Sequence, residues 1–285
     1  MIIDAHAHVW DLDRAEYPWL TPDLGPLHAT RTLAELESTM ERLGIDACVL
    51  VQAADNGDDT AHLQATADQH RSVAAIVGWA PLDRPAQLPD RLRELRSDPR
   101  VVGVRNLIHD REPGWLEGEA QDEALGLLSE ADLTLDFVTA GPDALGELPG
   151  IGRRHPDLRI VIDHLGKPPI GGSADDRKRW RTLLAAGAAN PLTHAKISGL
   201  HPTVGDPASW TVDSVRPFVE DAVELFGPRR LMFGGDWPMV TRAGGYERAW
   251  EAFRLVIAGL AAAERFEICG GTAVRFYRIP MEGLI

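Results

Sequence analysis

Short apolar runs recur along the chain, and between them lie longer stretches whose apolar residues fall three and four positions apart. The first pattern reads as strand and the second as amphipathic helix. A strand opens at Ile2 and runs towards Trp10, and a loop bearing proline and glycine follows from Asp11 to Thr30. Thr32 and Glu35 have capping-box spacing, and Leu36, Met40 and Leu43 carry a helical stripe that Gly44 ends. Further strands are expected at Ile45–Gln52, Val73–Trp79, Val101–Asn106, Leu133–Val138, Arg159–His164, His194–Ser198 and Arg230–Gly234. Helices are expected at Thr60–His70, around Leu88, Leu92 and Leu95, and at Asp122–Ala131, Asp143–Arg154, Arg177–Ala189 and Val212–Phe226. Two more, Tyr246–Ala262 and Gly271–Tyr277, close the chain. This alternation, with no linker or shift of composition, predicts a (β/α)8 TIM barrel forming one domain over residues 1–285. A doubly wound open sheet would hold the first and last strands apart, and no G-x-G-x-x-G or P-loop supports it.

Barrel closure gives meaning to polar residues at opposite ends of the chain. In a strand, residues two apart share a face, so His6 and His8 stand side by side at the carboxyl end of the first strand. His164 ends the sixth strand, and Asp236 follows the eighth. All four fall on the rim where barrels carry chemistry. Three imidazoles and a carboxylate suit one divalent ion of the zinc type, and the carboxylate alternatively accepts a proton from water. His164 follows Asp163, so alternation lets only one of them face inward, and a metal site requires His164.

Composition narrows the alternatives. A net charge of −14 argues against a nucleic-acid surface, and no apolar run approaches a membrane span. The cysteines are Cys48, in an apolar strand, and Cys269, so a disulfide framework is not expected. With no leader pattern at Ile2, a cytoplasmic location is the expectation, free of membrane and nucleic-acid partners and compatible with a homo-oligomer. No G-x-S-x-G elbow supports a serine hydrolase.

Six segments together resemble a known family: His6-Ala7-His8-Val9-Trp10, Tyr17-Pro18-Trp19-Leu20, Gly103-Val104-Arg105, Ile162 to Pro168, Lys196 to Leu200 and Phe233 to Pro238. In this order they are similar to the amidohydrolase-related lactonases of the amidohydrolase superfamily. The resemblance covers nearly the whole chain. It implies a distorted barrel and hydrolysis of a cyclic ester, often an aldonolactone such as fuconolactone, rhamnonolactone or galactonolactone. It also puts His6, His8, His164 and Asp236 on the family's metal or metal-like positions, with Asp236 and His164 catalytic. The chain departs from the family in Gly235, where a serine is usual, and in Asn106, where a histidine is common. No bridging lysine or fifth-strand ligand is evident, because Asp136 occupies that strand, so one ion rather than two is expected, and it could be dispensable.

Substrate contacts are expected from Arg105, through its planar fork, from Lys167 and Asp136, and from Trp10, Trp79 and Trp237, whose faces suit sugar C–H surfaces. Each has a plainer role open to it: a salt bridge for Arg105, solvation for Lys167, an ion pair with Arg105 for Asp136, and packing for the tryptophans. His109 and His201 read as exposed loop residues. Two rival functions remain at this level. Related barrels decarboxylate aromatic acids with a similar arrangement, and a non-catalytic barrel could bind sugar acids.

Overall fold

Eight parallel strands run in sequence order around the barrel in the computed structural model, which describes residues 1–202 and 205–280. They are β1 (Ile3–Ala7), β2 (Ala47–Val51), β3 (Val73–Gly78), β4 (Val101–Arg105), β5 (Thr134–Phe137), β6 (Ile160–Ile162), β7 (Thr193–Ile197) and β8 (Leu231–Phe233). The barrel closes where the segment after β8 meets β1. Asp236 N donates to the His6 carbonyl at 2.8 Å, and His8 N donates to the Trp237 carbonyl at 2.7 Å. Four of the candidate site residues, His6, His8, Asp236 and Trp237, therefore sit on the seam itself.

The helices are α1 (Leu33–Leu43), α2 (Gly57–Gln69), α3 (Leu88–Arg96), α4 (Glu119–Glu130), α5 (Leu148–Arg154), α6 (Ala174–Ala188), α7 (Val212–Phe226), α8 (Tyr246–Val256), α9 (Ala262–Phe266) and α10 (Thr272–Tyr277). The Thr32–Glu35 capping box is present, and Gly44 ends α1 in the left-handed conformation that glycine adopts without steric cost. Helix α2 begins three residues earlier than the apolar pattern indicated, because the Asn56 side chain accepts from Asp59 N at 2.8 Å and caps it there. The expected Tyr246–Ala262 helix is broken. It stops at Val256, passes through a 3-10 turn over Ile257–Gly259 and resumes as α9, and a π turn then links α9 to α10.

Two apolar layers position the site. Ile3, Ala5, Val49, Val77, Val161 and Met232 cluster with Phe276 and Tyr277 of α10, so the last helix plugs one end of the barrel. A larger cluster joins the helices to the strands, with Leu63, Leu92, Leu125, Leu184, Val219 and Trp250 among its buried members. A third, smaller cluster of Trp10, Tyr17, Leu20 and Leu27 orders the loop after β1. That loop is tied down by Tyr17 Oη, which donates to Asp59 Oδ1 at 2.8 Å, and by Trp19 Nε1, which donates to the Ala53 carbonyl at 2.6 Å. No described helix is long and apolar enough to cross a membrane.

Candidate active site

Each candidate ligand is aimed by a contact on its far side. His8 Nδ1 lies 2.7 Å from the Val51 carbonyl, which only accepts, so the proton resides on Nδ1 and the Nε2 lone pair is free. That Nε2 lies 3.1 Å from His6 Nε2, with the two rings edge to face. His6 Nδ1 faces Asp163 Oδ1 at 3.2 Å and Lys196 Nζ at 3.1 Å. His164 Nδ1 lies 2.9 Å from Ser198 Oγ, which leaves its Nε2 4.0 Å from Asp236 Oδ1. The same Oδ1 is 3.8 Å from His6 Nε2 and 3.7 Å from His8 Nε2. Three Nε2 atoms thus stand around one carboxylate oxygen, each 3.7–4.0 Å from it.

The sixth strand departs from simple alternation. His164, Leu165, Gly166 and Lys167 all take positive φ, between 51° and 69°. This left-handed turn costs about 1–2 kcal/mol for each non-glycine residue. It is held by Trp180 Nε1, which donates to the Leu165 carbonyl at 2.8 Å, and by Lys167 N, which donates to the His164 carbonyl at 3.0 Å. Its consequence is that Asp163 and His164 both reach the site, where alternation permitted one. Asp236 also has positive φ, at 54°. Gly199, at φ +56°, passes so close that a Cβ there would stand 2.7 Å from His164 Nδ1 and 2.8 Å from Asp236 Oδ2.

Beneath the imidazoles lies a charge cluster that sequence reasoning missed. Lys196 is fully buried, with Nζ 2.5 Å from Asp136 Oδ2 and 3.0 Å from Asp163 Oδ1. Tyr277 Oη donates to Asp136 at 2.8 Å, and Arg105 Nη1 lies 3.3 Å from Asp163 Oδ2. Two carboxylates therefore face two cations, the balance that burial demands. Burial favours the neutral form of Asp163, but Lys196 and His6 overcome it and hold the carboxyl well below its usual range. Asp136 is pushed up to about 6 by burial, against the pull of Lys196. A lysine between Ala195 and Ile197 in a strand of apolar neighbours was the available signal.

The electrostatics suit a cation. Burial lowers His6 to about 3 and takes His8 and His164 well below the ordinary imidazole range, so all three are neutral near pH 7, the form in which imidazole can ligate a metal. Burial raises Asp236 to about 7, against Lys167 and Arg105. Two sets of three buried donors lie close enough together to suit a divalent ion of the zinc type: His6, His8 and Asp236, and His6, Asp163 and His164.

The histidine–aspartate cluster opens into a cavity of about 490 Å³ whose lining includes His8, His164, Asp236, Arg105, Lys167 and Trp10. Trp19, His109, His201 and Arg242 line it too, so the two loop histidines expected to face solvent border the cavity. Asp136, Trp79 and Trp237 do not line it, contrary to expectation. Asp136 lies below, paired with Lys196 rather than Arg105; Trp79 sits under the Arg84 guanidinium; and Trp237 packs in the large core. Asn106 is also withdrawn, donating to the Ala80 carbonyl at 3.1 Å.

The amidohydrolase family profile matches residues 3–279. The chain belongs to that family. It is 32% identical over 282 residues to an L-fucono-1,5-lactonase of Burkholderia ambifaria, spanning 97% of this chain and 95% of that one. It is 33% identical to an L-fucono-1,5-lactonase of Burkholderia multivorans, over 98% of this chain and 96% of the relative. A crystal structure of a Burkholderia multivorans amidohydrolase with bound zinc superposes with a TM-score of 0.90 at 30% identity, covering 98% of this chain and all of that one. Barrel and family thus agree with the resemblance carried by the six segments. Gly235, the family departure, has a local cause in this enzyme. A Cβ there would meet the Tyr246 ring at 2.1 Å, and that ring is held by its Oη, which donates to Asp4 Oδ2 at 2.7 Å.

Proposed function

We propose that this amidohydrolase opens the ring of a sugar-derived lactone, an aldonolactone of the fuconolactone, rhamnonolactone or galactonolactone kind, to give the hydroxy acid. What carries the proposal is the grouping of His6, His8 and His164 Nε2 around Asp236 Oδ1 on the floor of a cavity of about 490 Å³. Lactonase relatives at 32% and 33% identity over nearly the whole chain support the substrate class. His6, His8, His164 and Asp236 would hold one divalent ion, of which zinc fits the donor set. When bound, such an ion supplies Lewis-acid polarisation of the ester carbonyl and a more acidic water.

The chain's own residues do the rest. Asp236, raised towards neutrality by burial, accepts a proton from the attacking water as the new C–O bond forms. It returns that proton to the ring oxygen as the ester C–O bond breaks, leaving a carboxylic acid and a free hydroxyl. Arg105, anchored by Asp163 and the Gln52 carbonyl, presents its fork at the cavity wall to orient the carbonyl oxygen. Lys167, held on the strained turn beside His164, donates to a ring hydroxyl, and Trp10 and Trp19 wall the same space. The active enzyme is proposed to be cytoplasmic.

A pH-indicator assay over aldonolactones and simple aromatic lactones, with and without a chelator, tests this. One lactone should be turned over, the activity should vanish in Asp236→Asn, and a chelator should suppress it. Silence across the panel with the divalent ion supplied overturns the lactonase assignment and favours an aromatic-acid decarboxylase.

A further inference from the structure

A second cavity, of about 440 Å³, adjoins the first. It lies between the loop joining β4 to α4 and the loop joining β5 to α5, and the two cavities share His109, Val138, Thr139 and Ala140 as a common wall. The first cavity alone holds the volume of roughly sixteen liquid waters, ample for a hexonolactone of about twelve non-hydrogen atoms. The second space is therefore surplus to a single sugar ring.

Its chemistry is that of a sugar site. Trp115 lines it, with the Arg111 guanidinium 5.4 Å from the ring centroid on one face. Glu147 lines it as well, its Oε1 accepting from Gly114 N at 3.2 Å, which leaves the second carboxylate oxygen available to a ligand hydroxyl. Thr139, at the junction, is 1% exposed, and its Oγ1 has no hydrogen-bond partner among the described residues. An unpaired buried hydroxyl is costly, and an apolar ligand group beside it would leave that cost in place. A ligand with an oxygen at the junction removes it.

We infer that the second cavity is a binding subsite for a glycosyl substituent, so that the preferred substrate is a lactone derived from a disaccharide. The linking oxygen or a neighbouring hydroxyl pairs with Thr139, the second ring lies along Trp115, and Glu147 accepts from its hydroxyls. This inference rests on the lactonase proposal for the reaction, but the subsite is testable by binding alone.

Two measurements separate the claims. In hydrolysis, cellobiono-1,5-lactone and lactobiono-1,5-lactone should exceed glucono-1,5-lactone in kcat/KM by about tenfold or more, with the gain mainly in KM. In calorimetric titration, cellobionate and lactobionate should bind at least about tenfold more tightly than gluconate, whether or not any lactone is turned over. Trp115→Ala and Thr139→Val should each bring these ratios close to one. Binding preference without turnover keeps the subsite and fails the lactonase proposal. Ratios near one in the unsubstituted enzyme, or ratios that neither substitution changes, overturn the subsite.

Discussion

Lys196 Nζ stands 3.0 Å from Asp163 Oδ1 where no solvent reaches, and this contact joins the barrel interior to the ring of His6. The same ammonium holds Asp136. Replacing Lys196 by Met would leave two buried carboxylates facing Arg105 alone. Removing one partner of a buried ion cluster typically costs about 3–5 kcal/mol. Urea unfolding should show a loss of that order at pH 7, and adding Asp136→Asn to Lys196→Met should recover part of it. An unchanged midpoint in the single variant would show that the cluster adds nothing to stability.

How much of this was legible in the chain depended on which interactions were local. Strand and helix positions follow from short-range apolar patterning, and eight alternations suffice to put His6, His8, His164 and Asp236 on one rim. What patterning could not supply was backbone that leaves the regular regions. Alternation excluded Asp163 once His164 was chosen, and only the left-handed turn from His164 to Lys167 admits both. Lys196 lies within the Lys196 to Leu200 segment, but its role depends on Asp136 and Asp163, far away in sequence and adjacent across β5, β6 and β7. The tryptophans show a further limit. Trp10, Trp19, Trp79, Trp115 and Trp237 all fall on or near strand-to-helix loops, yet Trp10 and Trp19 reach the first cavity and Trp115 the second, whereas Trp79 and Trp237 reach neither.

Gly235 is predicted to be fixed by Tyr246 rather than by the reaction. Gly235→Ser should displace the Tyr246 ring and break its bond to Asp4, with a destabilisation of about 1–3 kcal/mol. Trimming Tyr246 to Ala in the Gly235→Ser background should add less than Tyr246→Ala does alone, because the clash is already relieved. Additive effects in that double-mutant cycle would refute the coupling.

Asp59 should make stability fall as pH rises. Burial raises its carboxyl from 3.8 to about 6 although Ala53 N, Ala54 N and Tyr17 Oη all donate to it. Between those values the folded protein binds the extra proton, so this contribution is full below about pH 4 and lost as pH passes 6. Asp59→Asn is uncharged throughout, and its amide can keep Tyr17 and the two backbone donors satisfied. The variant should therefore gain on the unsubstituted enzyme by up to about 3 kcal/mol between pH 4 and pH 7. Chemical denaturation at the two values measures the difference, and a gap that does not change with pH would refute the assignment.

Asp236 links the reaction to the ion. Burial raises it to about 7, while Lys167 and Arg105 pull it down. A general base works deprotonated, so kcat/KM of chelator-treated enzyme with residual activity should fall about tenfold per pH unit below that midpoint. A divalent ion beside Oδ1 favours the carboxylate, so restoring it should move the midpoint to lower pH. The sign of that displacement is the decisive feature, since an ion bound elsewhere would leave the acid limb in place. A pH–rate profile of the two forms makes the measurement. Coincident acid limbs would place the ion away from Asp236 and leave the carboxylate working on water unaided.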